Sequence, residues 1–231
     1  MIVYCGDSYV WDDGKFDNWT NLLTNKLGMD SINLGVPGCS NEFIFQYQLI
    51  NKVIPLLTNS PKIILYGITF PIRFYLGHNI HYNTGMTEHP NEKSVLLNNN
   101  FTKKEWDEYT NMRLHTHVFD LEYKYYELSN SLNIIADYLK SIGTTIKFFS
   151  TDCGHFNEKN NVFDNGMLSY GYFNNLKKEY WLDGKYIQSY TKNLDALGSN
   201  IHKYSNHFSK INNLIIAENI YKELKDIYKN N

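Results

Sequence analysis

The sequence predicts an α/β fold, a parallel sheet with helices packed on both faces, and three observations carry that expectation. Short runs rich in Ile, Val, Tyr and Phe open the chain at Met1 and recur at Lys62–Gly67 and Thr144–Ser150. Segments with apolar residues at helical spacing separate them. Strands that alternate with helices pair in parallel, each crossover right-handed.

Bulk properties bound the class. A chain of 231 residues holds one well-cored domain, so residues 1–231 need no division. With 42% hydrophobic and 20% charged residues, it has the composition of a soluble globular protein. A net charge of -2 supplies no basic field, which argues against a nucleic-acid partner. No apolar run approaches ~18 residues, so no membrane span is expected. No signal peptide precedes the first strand, an expectation of cytoplasmic location or delivery within a larger particle. Cys5, Cys39 and Cys153 are odd in number and lack a CxxC pair, which favours reduced thiols over disulfides or zinc.

In chain order, Ile2-Val3-Tyr4 reads as a strand that stops at the turn Gly6-Asp7-Ser8. Trp19, Leu22, Leu23 and Leu27 follow helical spacing from Asn18 to Lys26, with Gly28 as the stop. Asp30–Leu34 is a short second strand. The Gly/Pro loop Gly35–Asn41 follows, with Ser40 or Asn41 as N-cap of a helix over Glu42–Leu57 that Pro55 ends or kinks. Lys62–Gly67 is a continuous apolar strand of the central parallel kind. An insertion spans about residues 72–118, long enough to imply a functional or homo-oligomeric role. A helix over Leu121–Ile142 ends at Gly143, and Thr144–Ser150 is the fourth strand. A second insertion runs over about residues 151–203, and a helix over Ser209–Tyr228 closes the chain.

The chemistry gathers where strands end. In an open α/β sheet the carboxyl ends of the strands face the ligand crevice. Ser8 follows the first strand there, and the loop holding Gly38 can supply a backbone N–H at a helix start. His207 precedes the last helix, on a loop that can reach the same sheet edge. Acyl transfer needs these three parts: a nucleophile, a base and oxyanion donors.

On these residues the chain resembles the SGNH (GDSL-type) hydrolase family. Gly6-Asp7-Ser8 matches the first family block, Asn33-Leu34-Gly35-Val36-Pro37-Gly38 the second, and His207-Phe208-Ser209 with Ile216-Ala217 the last. The resemblance implies a three-layer α/β/α sandwich with a parallel, flavodoxin-like central sheet and two insertions. It also implies Ser8 as nucleophile, His207 as base and the Gly38 N–H as oxyanion donor. Two positions differ. Thr69 stands where the family has an oxyanion Asn, with Asn41 and Arg73 as compensating candidates. Tyr204 stands where the family has the Asp that orients the base, with Asp152 and Asp195 as candidates from elsewhere.

The function expected is serine-dependent ester hydrolysis through an acyl-Ser intermediate. The substrate would be a small-molecule or glycan ester, with O-acetylated carbohydrate suggested by the aromatic insertions. The rival reading is a catalytically weakened fold relative that serves as a carbohydrate-binding or structural module. No cofactor is expected. No metal is expected either, since His115-x-His117 with Asp120 is one short-spaced pair where three or four converging ligands are needed.

Overall fold

The computed structural model describes residues 1–12, 14, 17–59, 62–69, 73–75, 81–83, 121–151, 155–157, 162–164, 173, 175–190 and 208–229. Strand β1 (Ile2–Cys5) leads to helix α1 (Trp19–Leu27). Asn18 caps α1 by accepting the Asn21 N–H, and Gly28 ends it in the left-handed conformation at φ 62°. After β2 (Ser31–Asn33), the Ser40 side chain accepts the Phe43 N–H at the start of α2 (Asn41–Phe43).

The helix expected over Glu42–Leu57 changes its hydrogen-bonding pattern twice. It continues from α2 as a π-helix over Ile44–Val53 and then as a 3-10 segment over Ile54–Asn59, which contains Pro55. Strand β3 (Ile63–Ile68) follows, and a hairpin of β4 (Arg73–Tyr75) and β5 (His81–Asn83) lies in the first insertion. Helix α3 (Leu121–Ser141), β6 (Thr145–Ser150), the hairpin of β7 (His155–Asn157) and β8 (Val162–Asp164), β9 (Trp181–Tyr186) and α4 (Lys210–Lys229) complete the described elements.

The main sheet runs β2-β1-β3-β6-β9, and every pair in it is parallel. Counting its own strands, that is order 2-1-3-4-5, the flavodoxin-like arrangement. Its fifth strand is a correction to the sequence reading, which placed Trp181–Tyr186 inside the second insertion. The reason is physical. Only Trp181 and Leu182 of this edge strand are buried, its register against β6 shifts between Phe148 and Ser150, and Lys185 sits at φ 57°. Neither an apolar run nor a clean alternation marks such a strand.

Alternate residues of the sheet face two cores. On one side Val3, Cys5, Ile64, Tyr66 and Phe148 pack with Phe43, Ile44 and Leu49 and with Tyr125, Leu132 and Leu139 of α3. On the other, Ile2, Tyr4, Leu65 and Phe149 pack with Trp19 and Leu23 of α1 and Ile216, Ala217 and Ile220 of α4. Helices on both faces make three layers. The strand order reverses between β1 and β3, so the ligand crevice of this architecture falls at their carboxyl ends. No helix among the described residues is long and apolar enough to cross a membrane.

Candidate active site

The chain leaves β1 at Gly6 and makes one tight turn. A Cβ at Gly6 would lie 2.5 Å from Val10 Cγ2, so only glycine lets the turn fold back this closely. The Val10 and Trp11 N–H groups both donate to the Asp7 carbonyl, at 3.1 and 3.0 Å. Half-buried Ser8 is carried on that turn. The turn is held from outside as well: Trp19 Nε1 donates to the Tyr9 carbonyl at 2.8 Å, and Asn33 Nδ2 to the Val10 carbonyl at 2.8 Å.

Asp7 anchors the turn beneath Ser8. Its side chain is fully buried, which is costly for a carboxylate unless donors surround it. Oδ1 accepts the Tyr9 N–H at 3.0 Å; Oδ2 accepts the Thr69 hydroxyl at 2.6 Å and the Thr151 hydroxyl at 3.0 Å. One carboxylate thus joins the ends of β1, β3 and β6. The Thr69 hydroxyl carries one proton, and this geometry directs it at Asp7.

Two side-chain amides from the helix that begins at Asn41 complete the edge. The N–H and C=O of Gly6 face the β2 side, where Val36 N–H reaches the Gly6 carbonyl at 3.1 Å as the chain from β2 diverges. Gln48 fills the gap: its Oε1 accepts the Gly6 N–H at 2.7 Å and its Nε2 donates to the Gly6 carbonyl at 3.0 Å. At the next strand, the Ile68 carbonyl bonds the Thr151 N–H at 2.8 Å, so Thr69 faces the side from which β1 has turned away. Asn41 fills that gap, accepting the Thr69 N–H and donating to its carbonyl, both at 2.9 Å. Each amide replaces a missing strand residue and satisfies backbone groups that burial would otherwise strand.

Gly38 lies in the turn Val36-Pro37-Gly38-Cys39, closed by a Cys39 N–H to Val36 carbonyl bond of 3.3 Å. Pro at the second position and Gly at the third, with φ 74°, is the pattern of a type II turn. Cys39 donates its thiol to the Gly6 carbonyl at 3.3 Å, and burial pushes the neighbouring Cys5 thiol up from its ordinary value. Neither is in a disulfide.

Of the residues singled out in the sequence, the structure brings Ser8, Thr69 and Asn41 to one sheet edge with the Gly38 loop. His207, Asp152 and Asp195 lie outside the described residues, as do His115, His117 and Asp120. Arg73 opens β4, but its side chain is also outside them. The residue after His207 is described. Phe208 is fully buried, and its ring packs on Tyr9, the residue after Ser8, with centroids 5.5 Å apart. Asn213 of α4 fixes this corner, accepting the Trp19 N–H at 2.7 Å and donating to the Phe208 carbonyl at 3.2 Å. No group of three or more His, Cys, Asp or Glu able to hold a metal occurs among the described residues.

Sequence reasoning passed over Gln48, Thr151 and the carboxylate of Asp7. The available signal for Gln48 was a polar residue at helical spacing from Asn41 and Ile44, seven and four positions before it. Thr151 and Asp7 carry no local signal, because their partnership spans three strands.

No family model and no curated protein matches the chain. Two solved structures are similar to it over nearly its whole length. One, described as a lipolytic protein of the G-D-S-L family from Desulfitobacterium hafniense DCB-2, is 12% identical over 96% of this chain and 97% of that one, with a TM-score of 0.44. The other, psychrotrophic esterase EstA from Pseudoalteromonas sp. inhibited by monoethylphosphonate, is 13% identical over 100% and 98%, with a TM-score of 0.46. Neither likeness assigns chemistry to a residue of this chain.

Proposed function

We propose that the chain is a serine-dependent ester hydrolase of the SGNH type. The observation that supports this reading is the packing of Phe208, the residue after His207 in the sequence, on Tyr9, the residue after Ser8. In the proposed reaction His207 takes the Ser8 hydroxyl proton as Oγ bonds to the ester carbonyl carbon. The tetrahedral intermediate collapses, the acyl–alkoxide bond breaks, and His207 returns the proton to the leaving alkoxide. Water then repeats the sequence on the acyl-Ser and releases the acid. Asp152 or Asp195 is the proposed partner of the base.

Backbone N–H groups of Ser8 and Gly38 are the proposed oxyanion donors. For a side-chain donor the site has Thr69 and Asn41. The Thr69 hydroxyl donates to Asp7, whereas Asn41 uses one amide proton on the Thr69 carbonyl and donates the other to no described residue. We therefore assign the side-chain donor to Asn41, with Thr69 as the peptide that orients it and Arg73 as a further cation nearby in sequence. The substrate class is a small acyl ester, with O-acetylated carbohydrate as the specific choice.

Ser8→Ala should abolish hydrolysis of p-nitrophenyl acetate by folded protein, and a fluorophosphonate probe should label Ser8 of the wild type. Unchanged hydrolysis in Ser8→Ala would overturn the assignment. The Thr69–Asp7 bond favours the second reading, a binding module without catalysis. Absence of labelling together with measurable glycan binding would establish that reading instead.

A further inference from the structure

We infer that Gln48 is a positioning residue that sets the spacing between the Ser8 turn and the Gly38 loop; this rests on the ester-hydrolase reading above. Gly6 lies two residues before Ser8, and its peptide is the joint between nucleophile and oxyanion loop. Its carbonyl receives Val36 N–H at 3.1 Å, the Cys39 thiol at 3.3 Å and Gln48 Nε2 at 3.0 Å. Val36 and Cys39 are the two ends of the turn that holds Gly38, so both ends of that loop grip one peptide. Among the described residues Gln48 alone takes the N–H of the preceding peptide, accepting it from Gly6 at 2.7 Å.

The residue is 1% exposed among Ile44, Leu49 and Val53, positions where an apolar side chain would serve packing better. A buried amide is tolerated there because both of its ends are paired. Gln48 also falls within the π-helix Ile44–Val53, and π-helical turns occur disproportionately at functional sites. The same helix start carries Asn41 on Thr69. The two amides therefore register the ends of β1 and β3 against one rigid element. Without the Gln48 clamp, the Gly6 N–H has no partner and the turn can move relative to the Gly38 N–H. Gln48 touches no substrate; its effect passes through the Gly6 peptide.

The test uses Gln48→Met, near in shape but without donor or acceptor, and Gln48→Glu, which keeps an acceptor for the Gly6 N–H. Misplacement by about 1 Å can cost ~100-fold in rate, so Gln48→Met should lower kcat by roughly 10–100-fold. KM should stay within about two-fold of wild type, because ground-state binding does not depend on this spacing. Fluorophosphonate should label the variant to the same final fraction but more slowly, and Gln48→Glu should be intermediate. Wild-type kcat and labelling rate in Gln48→Met would overturn the inference while leaving the hydrolase reading intact. So would activity lost only in proportion to an unlabelled, unfolded fraction. A wild type that fluorophosphonate does not label at Ser8 would overturn the reading beneath it. If Gln48→Met does not fold, Gln48→Glu is judged by the same criteria.

Discussion

Asp7 shows how one residue can be both a cost and a brace. Two of its donors are hydroxyls from strands that are not its own, Thr69 and Thr151, and each reaches the same oxygen. Thr69→Val keeps the shape of the side chain and removes the donor. Leaving a buried acceptor short should cost ~1–3 kcal/mol of stability, whereas Thr69→Ser, which restores the hydroxyl, should lose less. Urea unfolding of the two variants checks this: no loss in Thr69→Val, or a larger loss in Thr69→Ser, would show that packing of the methyl outweighs the hydrogen bond. Tyr66 gives the opposite sign. Its ring is buried against Phe148, its hydroxyl has no hydrogen-bond partner among the described residues, and burial raises its ionisation well above the ordinary value. Tyr66→Phe removes an unpaired polar group at nearly constant shape and should be neutral or stabilising by ~1 kcal/mol. A clear loss of stability in that variant would mean the hydroxyl has a partner in solution.

At the scale of elements, the helix pair α1 and α4 covers one face of the sheet and is tied at its rim. Lys26 of α1 lies 2.7 Å from Glu218 of α4, and this pairing holds the Glu218 carboxyl below the ordinary range. A carboxyl whose folded value is depressed adds stability above its unfolded value, and that contribution is lost as pH falls through the folded value. Glu218→Gln should therefore destabilise slightly at neutral pH and not at all in strong acid. The neutral-pH difference should shrink in high salt, because both side chains are over a third exposed, at 38% and 42%. Thermal unfolding across pH and salt measures both. Elements such as α1 were legible in the sequence because Gly28 stops the helix and the apolar positions before it keep helical spacing. β1 and β3 were legible because strands buried on both faces read as apolar runs. The π-helix was not, since its apolar positions also satisfy ordinary helical spacing. Edge strand β9 was hidden by its exposure and bulge. Ser8, Gly38 and Asn41 could be placed at one edge from strand order alone, but Gln48 gripping Gly6 is a pairing across 42 residues that no local pattern encodes.

Across the whole molecule, the question is whether the sheet edge that carries Ser8 opens by itself or only when the sheet does. Two thiols report on it from different depths. Cys5 belongs to the interior strand β1, while Cys39 sits in the loop after Gly38; both are fully buried. A thiol reacts only when an opening exposes it, so its rate measures the free energy of that opening. Loops at functional edges commonly open at lower cost than core strands, which would let Cys39 react first. Here the loop is bonded to Gly6 through Val36 and Cys39, and Gly6 to the following helix through Gln48. An opening that exposes Cys39 must break the peptide joint at the end of β1 as well. In a Cys153→Ser background, Cys5 and Cys39 should therefore react with an aromatic disulfide at similar rates and with the same steep dependence on urea. In Gln48→Met the two should separate, Cys39 becoming the faster. Early, urea-insensitive reaction of Cys39 in the unmodified site would show that the Gly38 loop moves independently of the Ser8 turn, and the edge would then be two parts rather than one.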